Sequence, residues 1–251
     1  MSQSVVPAIN IAQLRLAFND DELIFDNFNC MLEAGQFTCL LGRSGCGKST
    51  LVKLLADLIE PQFWQGQVAT SDGLPLQGRV AYMAQQDLLL PWLNVLDNAC
   101  LMLRFGQFSA KQRQRLITQA KQLLIEVGLA DNLMSMPSTL SGGMRQRVAL
   151  VRTLLQEHPV VLMDEPFSAL DAVSRHQLQT LAARLLRGKT VLFISHDPQE
   201  VLRLADKLYL LNNASQLQAL PIPHSQVPRI IDAELARYQQ QILDSMENCH
   251  V

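Results

Sequence analysis

The sequence predicts an α/β fold: a parallel-sheet core with a helical subdomain inserted in its middle. A buried apolar strand, "GQFTCLLG", runs into the glycine-rich loop "GRSGCGKST" and on into the helical spacing of "KSTLVKLLADLI". Strand, glycine loop and helix in that order form the setting of a phosphate-binding loop. Two later runs, "VVLMDE" (Val160 to Glu165) and "TVLFISH" (Thr190 to His196), are continuously apolar, as parallel strands are when both faces are covered. Between the loop and these runs, from about Asp87 to Glu157, the apolar period becomes helical.

Taken in order, "IAQLRLAF" (Ile11 to Phe18) and "LIFDNFNCML" (Leu23 to Leu32) alternate roughly and read as strands, with Asp20 and Asp21 as punctuation. "RVAYMAQ" (Arg79 to Gln85) is another short strand. In the middle, "SAKQRQRLITQAKQLLIEVGL" sets Leu116, Ala120, Leu123, Leu124 and Val127 on one helical face. Ser109 and Gln112 have capping-box spacing at its start, and Gly128 stands where a helix stops. A second helix is expected from about Gly143 to Glu157, ahead of Pro159. "KLYLL" adds a strand. Beyond the proline-punctuated "LPIPHSQVP", Ile231, Leu235, Tyr238 and Ile242 predict a short amphipathic tail helix. The expected division is a nucleotide-binding domain over 1–220, with the helical insertion at about 87–157, and a tail over 221–251.

Composition narrows the classes. The chain has 251 residues, 48% hydrophobic and 18% charged, with a net charge of -2. No overall basic field is available to hold nucleic acid, and the basic run "AKQRQRL" reads as a solvated helix face. Five cysteines (Cys30, Cys39, Cys46, Cys100 and Cys249), without CxxC spacing, fit reduced thiols. The start has no signal-peptide pattern, and no apolar run approaches the ~18 residues needed to span a bilayer. Any link to a membrane is therefore expected to run through another protein.

Gly42, Gly47, Lys48 and Ser49 satisfy the GxxxxGK[ST] spacing. Glycines let backbone N–H groups turn inward as an anion nest at a helix N-terminus. Lys48 is placed for the β- and γ-phosphates and the Ser49 hydroxyl for Mg²⁺. A second metal anchor is Asp164, delivered to the C-terminal end of its strand, where ligands of α/β sheets bind. Glu165 follows directly and can polarise an attacking water. In "LSGGMRQRV" (Leu140 to Val148), Ser141 and two glycines open a helix and make another anion-binding terminus. One phosphate chain does not need two such sites from one subunit. A dimer resolves this, with Ser141 to Gly143 of one copy facing the γ-phosphate held by the other.

"GRSGCGKST", "LSGGMRQRV", "VVLMDEPFSALD" and "LFISHD" occur in the order seen in ATP-binding cassette (ABC) ATPases, and the chain resembles that family over about Ile9 to Leu211. The resemblance implies a P-loop NTPase (RecA-like) core with a small antiparallel β subdomain. It implies that Gly42, Arg43, Ser44, Gly45, Cys46, Gly47, Lys48, Ser49 and Thr50 bind ATP, capped by Ser141, Gly142 and Gly143 of a second copy. Phe18 sits where the family stacks an aromatic on adenine. Gln85, preferred over Gln86 for its distance to "LLPW", resembles the glutamine that links Mg²⁺ and the attacking water to a transmembrane partner. Glu165 resembles the catalytic glutamate, and His196 the switch histidine. "SALD", ending at Asp171, resembles the loop that crosses between monomers. Ser49, Gln85 and Asp164 are the implied Mg²⁺ ligands.

"LLLPWLNVLDNA" (Leu88 to Ala99) is similar to the ATP-binding subunits of bacterial importers for nitrate, sulfonates, taurine and thiamine pyrimidine precursors. The implied protein is a homodimer on the cytoplasmic face of the inner membrane. It would couple ATP hydrolysis to uptake through a permease docked near Trp92, with a periplasmic binding protein delivering cargo and no nucleic-acid partner. The alternative is a soluble ABC ATPase of DNA repair or translation, which would bring coiled-coil insertions, a second cassette or basic arms. Departures from the family pattern are Arg43, Asp57 and a phenylalanine at position 18.

Overall fold

The structure, a computed structural model, describes residues 6–18, 22–212 and 216–248; Asp20, Asp21 and Cys249 lie outside them. In chain order the elements are β1 (Ile9–Ala17), β2 (Leu23–Leu32), β3 (Phe37–Gly42), α1 (Lys48–Leu55), β4 (Trp64–Thr70), β5 (Val80–Met83), α2 (Val95–Ala99) and α3 (Ala110–Glu126). They continue with α4 (Gly142–Leu154), β6 (Val160–Asp164), α5 (Ala172–Leu185), β7 (Thr190–Ile194), α6 (Pro198–Leu204), β8 (Lys207–Leu211), β9 (Leu217–Leu220) and α7 (Ala233–Asn248). The chain divides into two units, one over 1–80, 158–165 and 186–251, the other over 81–157 and 166–185.

The first unit contains two sheets. β2, β1 and β4 form an antiparallel sheet in that order. Ile9, Ile11, Leu14 and Leu16 of β1 turn inward, and the register slips between Ile11 and Leu14 around Gln13, whose φ is +52°. The larger sheet runs β6-β7-β3-β8-β9, parallel except for β9; β5 begins at Val80, where this unit gives way to the other. Every residue of β3, β6 and β7 is buried, as their unbroken apolar sequences require. Register sets Leu40 of β3 and Asp164 of β6 on either side of Ile194. The carboxyl ends of the three strands therefore lie side by side, the usual ligand edge of such sheets.

In the second unit, α3 starts on the expected capping box: the Gln112 N–H donates to Ser109 Oγ (3.3 Å), and the Ser109 N–H to Gln112 Oε1 (2.8 Å). Gly128 follows its end at φ +76°. α4 begins one residue earlier than expected and stops at Leu154, short of Glu157, which takes φ +52° and cannot continue a helix. The tail helix also differs in detail. Leu235 and Ile242 are buried on α7, whereas Ile231 precedes the helix and is 49% exposed.

Candidate functional site

The glycine loop leaves β3 at Gly42 and enters α1 at Lys48. Gly47 is the N-cap residue, with φ +96° and no side chain capping the helix. A Cβ there would lie 2.7 Å from Ile24 Cγ2 and 2.9 Å from Phe25 Cζ, so both conformation and space demand glycine. Gly42 is equally confined: a Cβ would meet the Leu211 carbonyl at 2.7 Å. Uncapped N–H groups at this terminus and the positive end of the α1 dipole suit an anion. Arg43, Ser44 and Gly45 are exposed, Cys46 is buried, and Ser49 and Thr50 lie part-buried in the first turn of α1.

Lys48 is 6% exposed, and its ammonium is held by the loop itself. Nζ donates to the carbonyls of Gly42 (2.8 Å) and Arg43 (2.6 Å) and lies 3.7 Å from Cys46 Sγ. Beside it, Asp164 is 3% exposed, and its Oδ1 is buried without a hydrogen-bond partner. Burial pushes the Asp164 carboxyl above the usual aspartate range, against the opposing pull of a hydrogen bond from Ser49. A buried carboxylate oxygen lacking a partner, next to a serine hydroxyl, is a donor set that fits a hard cation. In the nucleotide-free protein the ionised carboxylate costs the fold free energy, because its folded pKa lies above its unfolded value. The cost is present above the folded pKa and absent below the unfolded one, near pH 4. Asp164→Asn is therefore expected to raise the melting temperature at pH 7, with the gain vanishing toward pH 4, a pattern scanning calorimetry across that range would detect.

Glu165 continues from β6 with φ +46°, a left-handed backbone that is uncommon for glutamate. Its N–H donates to the Ile194 carbonyl at 2.9 Å, which holds this conformation against β7. Its Oε1 lies 3.0 Å from His196 Nδ1, a distance suited to an Nδ1–H donating to the carboxylate. Glu165 is largely enclosed while His196 is 60% exposed. The first unit thus gathers Gly42, Lys48, Ser49, Asp164, Glu165 and His196 at one edge. Phe18 lies just past β1, 39% exposed, with its ring edge-on to Phe63 at 5.4 Å. Phe63 had no signal in the sequence, because the adjacent aromatics Phe63 and Trp64 of "PQFWQG" follow no helical or strand period.

The remaining predicted residues belong to the second unit. Ser141 caps α4, its Oγ accepting from the Met144 N–H at 3.2 Å, and Gly142 is exposed at the same terminus. A Cβ on Gly143 would lie 3.3 Å from the Ala169 carbonyl. Asp171 is exposed; hydrogen bonds from Ser174 hold its carboxyl below the usual range, and Oδ1 accepts the Ser174 N–H at 2.9 Å. Gln85 is exposed just beyond β5.

After Gln85, buried Asn98 clasps the following segment. It accepts from the Leu90 N–H (2.8 Å) and donates to the carbonyls of Leu90, Leu93 and Asn94. Arg145 pairs with Asp87 at 2.9 Å, and Arg152 donates to the Asp87 and Leu88 carbonyls. Trp92 is left 68% exposed, with Leu88, Phe105 and Met134 exposed in the same unit. Among the described residues no helix is long and apolar enough to cross a membrane.

Residues 25–168 match the family model for the ABC transporter. The chain belongs to the ABC transporter family. This ABC chain is 43% identical, over 95% of its length and 98% of the relative, to an uncharacterized ABC transporter ATP-binding protein of Haemophilus influenzae. It is 40% identical to aliphatic sulfonates import ATP-binding protein SsuB 1 of Rhodococcus jostii, covering 96% of both chains. The dimeric structure of MJ0796, a bacterial ABC transporter cassette, superposes with a TM-score of 0.71 at 26% identity, over 89% of this chain and all of that one. A post-hydrolysis dimer of the same cassette bound to ADP and Pi shares the fold, with a TM-score of 0.71 at 24% identity. The protein is an ABC-type ATPase with the P-loop α/β fold that the sequence predicted.

Proposed function

We propose that this ATPase drives uptake of a small anion, of the aliphatic sulfonate class, through a separate membrane permease. The observation that carries the reading is the meeting of Lys48, Asp164 and the Glu165–His196 pair at one sheet edge of a chain whose relative in Rhodococcus jostii is a sulfonate-import ATP-binding protein. Two copies pair about a two-fold axis. Gly42 to Thr50 of one copy wrap the triphosphate, and Ser141 to Gly143 of the other cover the γ-phosphate, with Asp171 at the crossing. Phe18 stacks on the adenine. Lys48 exchanges the Gly42 and Arg43 carbonyls for β- and γ-phosphate oxygens. Glu165 accepts the proton of the attacking water as the bond between γ-phosphorus and the β-bridging oxygen breaks, and His196 holds the Glu165 carboxylate and contacts the γ-phosphate. Ser49, Asp164 and Gln85 would hold Mg²⁺, which supplies charge neutralisation on the phosphates.

Only the closed dimer binds ATP on both sides, so nucleotide favours closure and hydrolysis reverses it. The exposed Trp92 receives a short helix of the permease at the cytoplasmic face of the inner membrane. Cargo would be handed to the permease by a periplasmic binding protein. Nucleic acid has no role in this reading, and the named relatives lend no support to the repair or translation alternative.

Cells lacking this chain are expected to lose uptake of a radiolabelled alkanesulfonate, and regain it with wild-type protein but not with Glu165→Gln. Unchanged sulfonate uptake in the deletion strain would overturn the cargo, and purification with nucleic acid instead of an integral membrane protein would overturn the coupling.

A further inference from the structure

The segment after β9 is fastened to the first unit by one buried arginine. Arg229 is 4% exposed, and its guanidinium bonds only backbone carbonyls. Nη1 donates to Leu202 (2.8 Å) and Ala205 (2.7 Å); Nε and Nη2 donate to Pro223 (3.1 and 2.8 Å). The Arg229 N–H donates to the Arg203 carbonyl at 2.9 Å, and Arg203 Nε returns a bond to the Arg229 carbonyl at 3.3 Å. Leu202, Arg203 and Ala205 supply carbonyls at the C-terminal end of α6, which lack partners within a helix and carry its negative pole. Arg229 therefore caps α6 from a position more than twenty residues away in sequence.

The other end of α6 adjoins the Glu165–His196 pair. His196 stands between Ser195, the residue after β7, and Asp197, the N-cap of α6. Ser195 is 2% exposed; its Oγ donates to Glu200 Oε2 of α6 at 2.7 Å and accepts the Asp197 N–H at 3.0 Å. Asp197 Oδ1 in turn accepts the Gln199 N–H at 2.8 Å. α6 has seven residues, too few to hold a helix unaided, so its placement depends on its packing against β3 and α7 and on these fasteners at its two ends. A shift of α6 moves the backbone that carries His196.

We infer that Arg229 is a positioning residue for ATP hydrolysis: by capping α6 it holds His196 within reach of Glu165. This rests on the roles proposed for those two residues. It gives the C-terminal segment a part in turnover while leaving the phosphate loop, whose own bonds involve Gly42, Arg43 and Lys48, untouched.

The test compares full-length wild type, Arg229→Gln, Arg229→Lys, His196→Ala and the Arg229→Gln/His196→Ala pair, each shown folded by circular dichroism. Turnover of ATP with magnesium and affinity for a fluorescent ATP analogue are measured on each. Arg229→Gln is expected to lower kcat about tenfold, since misplacing a reacting group by a fraction of an ångström suffices. Analogue affinity and KM should stay within about twofold, because the loop is unchanged. Arg229→Lys, which keeps the charge and can reach some of the carbonyls, should fall between the two. In the His196→Ala background, Arg229→Gln should cost less than about a further twofold, as for groups acting through one another.

An unchanged kcat in folded Arg229→Gln, or a parallel loss of nucleotide affinity, would overturn the proposal. So would losses that multiply in the double variant while His196→Ala alone is impaired, with the role of His196 left intact. Wild-type turnover in His196→Ala would remove that role and the proposal together. Should Arg229→Gln not fold, Arg229→Lys is carried through the same cycle with the same required non-additivity.

Discussion

Glu165→Gln is expected to bind ATP as wild type does and to hydrolyse it at least about 10²-fold more slowly, the usual worth of a general base. The substitution keeps the side-chain length and an oxygen that can accept from His196 Nδ1, now 3.0 Å from Glu165 Oε1. It leaves the Glu165 N–H on the Ile194 carbonyl. What it removes is the capacity to take a proton from water. With hydrolysis blocked and binding intact, closed dimers should accumulate, so size-exclusion chromatography in ATP is expected to show a shift to dimer that ADP does not produce. Phosphate release within about threefold of wild type would refute the assigned base.

Lys48→Ala is expected to fail one step earlier, with nucleotide affinity reduced about 10- to 10²-fold, the range for loss of charge-assisted hydrogen bonds. In the structure the Lys48 ammonium already makes two short bonds, to Gly42 and Arg43. On the role proposed for Lys48, ATP binding would exchange one set of lysine bonds for another, and the gain from the phosphates would be smaller than a free lysine would provide. The variant also deprives two loop carbonyls of their donor, so its nucleotide-free melting temperature should fall. Calorimetric titration and a thermal melt on the same sample separate the two effects. Wild-type affinity in Lys48→Ala would remove the lysine from the phosphate site.

The parts of the fold legible in the sequence were those specified by local pattern. β3, β6 and β7 are unbroken apolar runs because both faces are covered, and α3 announced itself through Ser109, Gln112 and Gly128. β4, with the sequence "WQGQVAT" and no fully buried residue, has neither clean alternation nor an apolar run, and its pairing with β1 is decided by the partner strand. α5 presents a weak apolar face and drew no prediction. At the site, residue types and spacing singled out Lys48, Asp164 and Glu165, because phosphate chemistry constrains both, whereas His196 came only from the resemblance to ABC ATPases. The left-handed backbone at Glu165 had no such signal. Nor did Arg229, a single charged residue in a proline-rich stretch whose burial depends on carbonyls contributed by a distant helix.

Trp92, near which the sequence led us to expect a docked permease, is exposed, and Asn98 explains how. One amide side chain satisfies the backbone of the loop before it, so the indole is held outward without needing contacts of its own.

With Glu165 as the proposed base, the strained peptide geometry at position 165 sets heat tolerance against work. Glycine or asparagine would sit there with less conformational penalty, since both enter that region of backbone space more readily than glutamate. A library screened only for surviving high temperature should enrich those two residues and yield inert molecules, whereas one screened for growth on the cargo should reject them. Glutamate at this corner is thus a choice that selection must keep renewing against the polypeptide's own preference.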